Sequence, residues 1–292
     1  MSKKVYLIIT LTIFLFFLIP TINLAQSASS SSPHTLTGKI ENHTRFFSKY
    51  LSNSRDIIVY LPPNYDKNIN FHYPVLYLQD GQNIFDGATS FIPGQEWHCD
   101  ETAQKLVLAS RIQPLIIVGV YNTGQQRIDE YTPSIDARYG KGGKATLYGK
   151  FLVEELKPFI DKQYRTLTDQ NNTALGGSSL GGLVSLFIGL EHPQVFGKLA
   201  IISPSVWWDN KIILKDVEKI SKKINTKIWL DIGANEGEES VPDTKLLKEA
   251  LISKGWQINK DLKYVVVKGA QHNEQAWAAR FDRVLKFLFP IK

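Results

Sequence analysis

The sequence predicts an α/β fold in which a mostly parallel central sheet carries helices on both faces. Three observations carry this expectation. Seven apolar runs recur along the chain, several of them nearly continuous, as strands covered on both faces must be. Between them lie segments whose apolar residues recur at helical spacing. The two patterns alternate from about residue 35 to the end, with no internal repeat and no mid-chain linker.

In chain order, the strand-like runs are "RDIIVYLP" (55–62), "YPVLYLQD" (73–80) and "LIIVGVYN" (115–122). A helical stripe follows at Leu147, Phe151, Leu152, Leu156, Phe159 and Ile160. The run "TALGGSS" (173–179) leads directly into a segment where Leu183, Leu186, Phe187 and Leu190 share one face. Three more runs, "KLAIISPS" (198–205), "KIWLDIGA" (227–234) and "LKYVVVKG" (262–269), precede a last helical segment, "NEQAWAARFDRVLKFLF".

At 292 residues, with 43% hydrophobic and 11% aromatic content, the chain can bury one sizeable core. Its formal charge of +6 includes Lys3 and Lys4 in the first thirty residues, which hold no acid, so the rest carries an ordinary +4. Lys and Arg are not clustered with aromatics, which argues against nucleic acid and against a polybasic membrane surface. The N-terminus runs basic, then apolar from Val5 to Ile19, then Pro and small residues, the order of a secretory signal peptide. We expect residues 1–28 to direct export to a secreted or periplasmic location, with an uncleaved membrane anchor as the alternative. Residues 29–34 read as a Ser-rich linker, and 35–292 as one catalytic domain with no membrane contact after cleavage. Cys99 is the only cysteine, so no disulfide can form within the chain.

Chemistry enters at "GGSSLGG". A G-x-S-x-G nucleophile elbow needs glycine two residues before and two after the serine, because strand and helix nearly touch at the turn. Only Ser179 fits, in Gly177-Ser178-Ser179-Leu180-Gly181; centred on Ser178 the fifth residue is Leu180. The missing Lys-Ser/Thr argues against a phosphate loop. A serine hydroxyl needs a base, and in the order serine, acid, histidine that base must come later in the chain. Four of the six histidines precede Ser179, and His192 ends the elbow's own helix. His272, between the last strand and the last helix, is the candidate base.

With these residues in place, the chain resembles the esterase family of α/β-hydrolases that includes esterase D, feruloyl and acetyl-xylan esterases, enterochelin-type siderophore esterases and mycolyltransferases. The likeness lies in "YPVLYLQDGQNIFD", "EWHCDETAQKLV", "RIDEYTP", "GGSSLGG", "SPSVWW", "GANEGEE" and "GAQHNEQAWAAR", in the family's order. It implies an α/β-hydrolase fold and a serine esterase that uses an acyl-enzyme and no cofactor. It also implies an oxyanion hole made by the backbone N–H groups of Leu180 and Gln82, with Gly81 letting the backbone approach the substrate. The acid is chosen among Glu236, Asp231 and Asp243, beside a Ser-His dyad. Glu236, three residues after Gly233, matches the position where related esterases carry an acid, whereas Asp231 sits inside an apolar run.

Other residues receive cooler readings. His98, Cys99, Asp100 and Glu101 lack a second spaced ligand pair, so no metal is expected. Trp207 and Trp208 follow a strand on the edge where loops face the active site and are possible substrate contacts. Arg127, Glu130 and Tyr131 read as a buried polar network that fixes a loop. The substrate is expected to be a small-molecule or glycan-linked ester, sugar-linked or aryl. A siderophore ester, an acyltransferase, or an inactive hydrolase fold that binds a glycan or partner are the alternatives, and the motifs set no oligomeric state.

Overall fold

The computed structural model describes residues 33–291. The predicted signal segment lies outside the described residues, as does most of the linker. His34, at the linker's end, places Nδ1 2.6 Å from Asp86 Oδ2. Among the described residues no helix is long and apolar enough to cross a membrane.

The strands are β1 (Lys39–Ser48), β2 (Asn53–Leu61), β3 (Val75–Gln79), β4 (Ile116–Val120), β5 (Ile135–Asp136), β6 (Lys141–Gly142), β7 (Thr173–Ser179), β8 (Lys198–Pro204), β9 (Lys227–Gly233) and β10 (Leu262–Val267). The helices are α1 (Cys99–Leu108), α2 (Arg127–Glu130), α3 (Ala145–Lys150), α4 (Lys157–Gln163), α5 (Leu180–Glu191), α6 (Trp208–Glu218), α7 (Ser240–Ser253) and α8 (Glu274–Leu288). A π-helical stretch, Phe151–Leu156, joins α3 to α4. Eight strands form one sheet in the order β1-β2-β4-β3-β7-β8-β9-β10, while β5 and β6 make a separate two-stranded ladder. Only the β1–β2 and β2–β4 pairings in the large sheet are antiparallel; the rest are parallel.

Strand period decides where the core sits. In β2, Ile57, Val59 and Leu61 enter one apolar cluster while Ile58 and Tyr60 enter another. Val75 and Tyr77 of β3 separate from Leu76 and Leu78 in the same way. The first cluster lies under α3 to α7, which contribute Tyr148, Ile160, Leu183, Ile213 and Leu247 among others. The second lies under α1 and α8, which contribute Ala103, Leu106, Phe281 and Val284. Both sheet faces are thus covered, which is why the central runs are apolar without alternation. The edge strand β1 is largely open to solvent, reads "KIENHTRFFS", and gives no apolar run.

This topology gathers the C-terminal ends of the parallel strands on one edge of the sheet. β7 ends at Ser179, β8 at Pro204 and β9 at Gly233, so the loops that follow them share one rim.

Candidate active site

The elbow is built from close contacts. A Cβ placed on Gly177 would lie 2.9 Å from the carbonyl carbon of Gly181 and from Gln79 Cβ, so no side chain fits where β7 meets α5. Ser179 occupies the turn with φ 57° and ψ −126°, a backbone strained for any residue with a side chain. It lies at the head of α5, where the first-turn N–H groups have no helical partner and the helix dipole is positive. Ser178 is buried. Ser179 Oγ is 3.4 Å from Ser205 Oγ, and the Ser179 carbonyl accepts from Ser205 N.

His272 stands after β10, just ahead of Asn273, whose side chain caps α8 by accepting from Ala276 N at 2.9 Å. Its Nδ1 is 2.8 Å from Glu236 Oε2, and its ring meets Trp277 edge-on at 5.0 Å between centroids. The imidazole is 41% exposed whereas the Glu236 carboxyl is 1% exposed, so a ring open to solvent is held at Nδ1 by a buried acid. Glu236 Oε1 accepts from Ser203 Oγ at 2.6 Å and from Gly233 N at 2.7 Å. Burial pushes this carboxyl up, but the bonds from His272, Ser203 and Gly233 outweigh it and hold it below the usual carboxylate range.

The other two acid candidates point elsewhere. Asp231 is fully buried and takes Trp229 Nε1 at 2.6 Å and Arg280 Nε at 3.1 Å. Burial raises its carboxyl, and Arg280 offsets part of that. Asp243 pairs with Lys211 at 3.2 Å.

Gln82 lies in the helical turn Gly81–Asn83 after β3. The preceding Asp80 has φ 57°, and it is fixed by Arg127, which donates Nε and Nη2 to its two carboxylate oxygens at 2.7 Å each. Asn122 Nδ2 adds a third bond at 2.7 Å, and Gln82 Oε1 accepts from Asn122 N at 3.2 Å. The polar network read from "RIDEY" is therefore present in two parts. Arg127 holds Asp80, while Glu130 pairs with Arg55. At Gly81, a Cβ would lie 2.6 Å from Gly119 C and 2.7 Å from Val120 N. The glycine lets the turn after β3 pack directly on the backbone of β4. Gly81→Ala is expected to lose about 1–3 kcal/mol of stability by overpacking. A urea titration with an unmoved midpoint would refute this.

The tryptophan pair also divides. Trp207 is 40% exposed and lines the cleft, but Trp208 is 1% exposed, donates Nε1 to the Ser134 carbonyl and stacks on Tyr139 at 5.5 Å. Trp208 is therefore a packing residue, which corrects its reading as a substrate contact. The cleft has a volume of about 440 Å³ and brings together Ser179, Ser205, Trp207, Glu236 and His272, with Glu239 and Asp243 also on its wall. In "EWHCDE", Cys99 and Asp100 are buried, whereas Glu96, His98 and Glu101 bring ligand atoms within 4.8 Å of one another.

Sequence reasoning missed Ser203, Ser205 and Arg280. Arg280 left one signal: it falls on the apolar stripe of α8 with Trp277, Phe281 and Val284, where an unpaired charge would be costly. Asp231, an acid inside an apolar strand, is the matching signal.

Comparison with known proteins agrees with this architecture. The chain is 28% identical over 258 residues to an endo-1,4-beta-xylanase/feruloyl esterase of Xylanibacter ruminicola, covering 86% of this chain and 31% of that protein. It is 29% identical over 185 residues to the ferri-bacillibactin esterase BesA of Bacillus subtilis, covering 57% and 61%. The crystal structure of the BES protein from Bacillus cereus superposes with a TM-score of 0.67 at 27% identity, covering 88% of this chain and 97% of that one. The family model described as "Putative esterase" matches residues 48–288. The chain belongs to that family, and it is an esterase enzyme with an α/β-hydrolase fold.

Proposed function

We propose that this esterase is a serine carboxylic-ester hydrolase that works through an acyl-enzyme, with Ser179, His272 and Glu236 as its catalytic residues. The observation that carries the reading is the 2.8 Å bond from His272 to Glu236 in the cleft that Ser179 lines from its strained turn. Glu236 occupies Nδ1, so Nε2 is the imidazole atom that takes the Ser179 proton as Oγ attacks the ester carbonyl. The oxyanion forms at the head of α5, where Leu180 N–H and Gln82 N–H stabilise it. His272 then gives its proton to the leaving alcohol, and water reverses the sequence to release the acid.

In this reading residues 1–28 direct export and 35–292 form the catalytic domain. The substrate is a neutral ester with an aryl or sugar-linked group. Trp207 offers an exposed ring beside the cleft, with Tyr139 6.0 Å from it, as a surface on which a flat group can stack. The exposed Glu239 disfavours a polyanionic iron complex at the same wall. Methyl ferulate or a feruloylated sugar is expected to give a kcat/KM at least about tenfold above that for iron-loaded bacillibactin. The reverse ranking would assign the cleft to siderophore esters, and no turnover of any ester would remove the hydrolase reading.

A further inference from the structure

Behind the Glu236–His272 pair lies a buried arginine that the acyl-transfer steps do not use. Arg280 has a side chain only 2% exposed, and its guanidinium touches carboxylates from two parts of the sheet rim. Nη2 lies 3.0 Å from Asp231 Oδ1 and 3.4 Å from Glu236 Oε1. Nη2 also donates to Ser203 Oγ at 2.6 Å. That hydroxyl donates to Glu236 Oε1 and accepts from Trp277 Nε1 at 3.1 Å, so its one donor and two acceptor positions are filled. Ser203 is held at φ 42°, and its N–H reaches Asp231 Oδ1 at 3.3 Å. The same Trp277 supports the edge of the His272 ring.

The charges explain why the set is built this way. With neutral imidazole, Asp231, Arg280 and Glu236 sum to −1 in a space closed to water. Transfer of the Ser179 proton to His272 brings the four groups to zero, so they balance in the state that the reaction creates. Without Arg280, two buried carboxylates would compete and one would take up a proton. Without Asp231, the full guanidinium charge would fall on Glu236 and weaken its hold on the imidazole. We infer that Arg280, neutralised by Asp231, is a positioning residue that holds Glu236 against His272 and stabilises the charge pattern formed during attack. This rests on the proposed Ser179–His272–Glu236 assignment.

The other ionisable groups near the pair are Glu239 and Asp243 on the cleft wall, Lys211 paired with Asp243, and Glu274 at the start of α8, bonded to Asn83. They are unchanged in the variants below, so they contribute equally to every profile. Wild type, Arg280→Met, Arg280→Lys and Asp231→Asn are first labelled with a fluorophosphonate and peptide-mapped. Kinetics on a p-nitrophenyl ester are then taken from pH 5 to 9, with near-ultraviolet circular dichroism as the measure of folding. Arg280→Met is expected to lose about 100-fold in kcat with KM within about threefold, and Arg280→Lys to recover about tenfold of the loss. Asp231→Asn removes a negative charge that favours imidazolium, so the acid limb of kcat/KM should move to lower pH by about half a unit. A purely structural salt bridge would change the melting temperature and leave the limb in place. The inference is overturned by a folded Arg280→Met within threefold of wild type. It is also overturned by an unmoved Asp231→Asn limb, which decides the matter if Arg280→Met does not fold. Failure to label Ser179 in wild type would instead remove the triad assignment itself, and the inference with it.

Discussion

Ser179→Ala is expected to lower kcat for ester hydrolysis by about 10⁶, because a serine hydrolase without its nucleophile keeps only binding and oxyanion stabilisation. The adjacent Ser178→Ala is expected to keep most activity. Two neighbouring serines make the contrast informative. Ser178 lies within β7 with its side chain buried, whereas Ser179 sits in the strained turn at the head of α5 and lines the cleft. Progress curves for both variants with a p-nitrophenyl ester decide the matter. Loss in Ser178→Ala and retention in Ser179→Ala would move the nucleophile.

Glu236→Gln is expected to lower kcat by up to about 10⁴ with little change in KM. A glutamine amide can still meet His272, but it neither stabilises imidazolium nor dictates the tautomer with a proton on Nδ1. The folded carboxyl is held below its usual value of 4.5, so its ionised form contributes stability above that value. This contribution is lost only as pH falls through the lower, folded value. The ionised Glu236 that holds His272 is thereby kept to a lower pH than an unpaired glutamate would be. A Glu236→Gln enzyme within tenfold of wild type would mean that Glu236 is not the orienting acid.

The parallel half of the sheet was legible because its strands are buried on both faces, which writes nearly continuous apolar runs into 75–79, 116–120 and 198–204. β1 was not, because an edge strand open to water carries Asn, His, Thr and Arg among its apolar residues. The turn at Ser179 could be read from glycine spacing, since contact between Gly177 and Gly181 excludes side chains whatever the rest of the chain does. The position of His272 followed from chain order.

What the sequence concealed is pairing. Asp231 and Arg280 are 49 residues apart, and each appears alone as a charge in an apolar segment until the fold brings them to 3.0 Å. Trp207 and Trp208 look equivalent in sequence, yet the start of α6 turns the first toward the cleft and buries the second. The sequence shows the turn at Gly81 but not its packing on Gly119 of the neighbouring strand.

Active-site labelling of the wild-type protein tests the assignment of Ser179 as nucleophile. Fluorophosphonate treatment at pH 7.5 is followed by proteolysis and mass spectrometry of the peptide that carries both Ser178 and Ser179. One stoichiometric adduct is expected on Ser179, formed in step with loss of esterase activity and absent from His272→Ala. An adduct on Ser178 or Ser205, or full inactivation with Ser179 unmodified, would contradict the assignment.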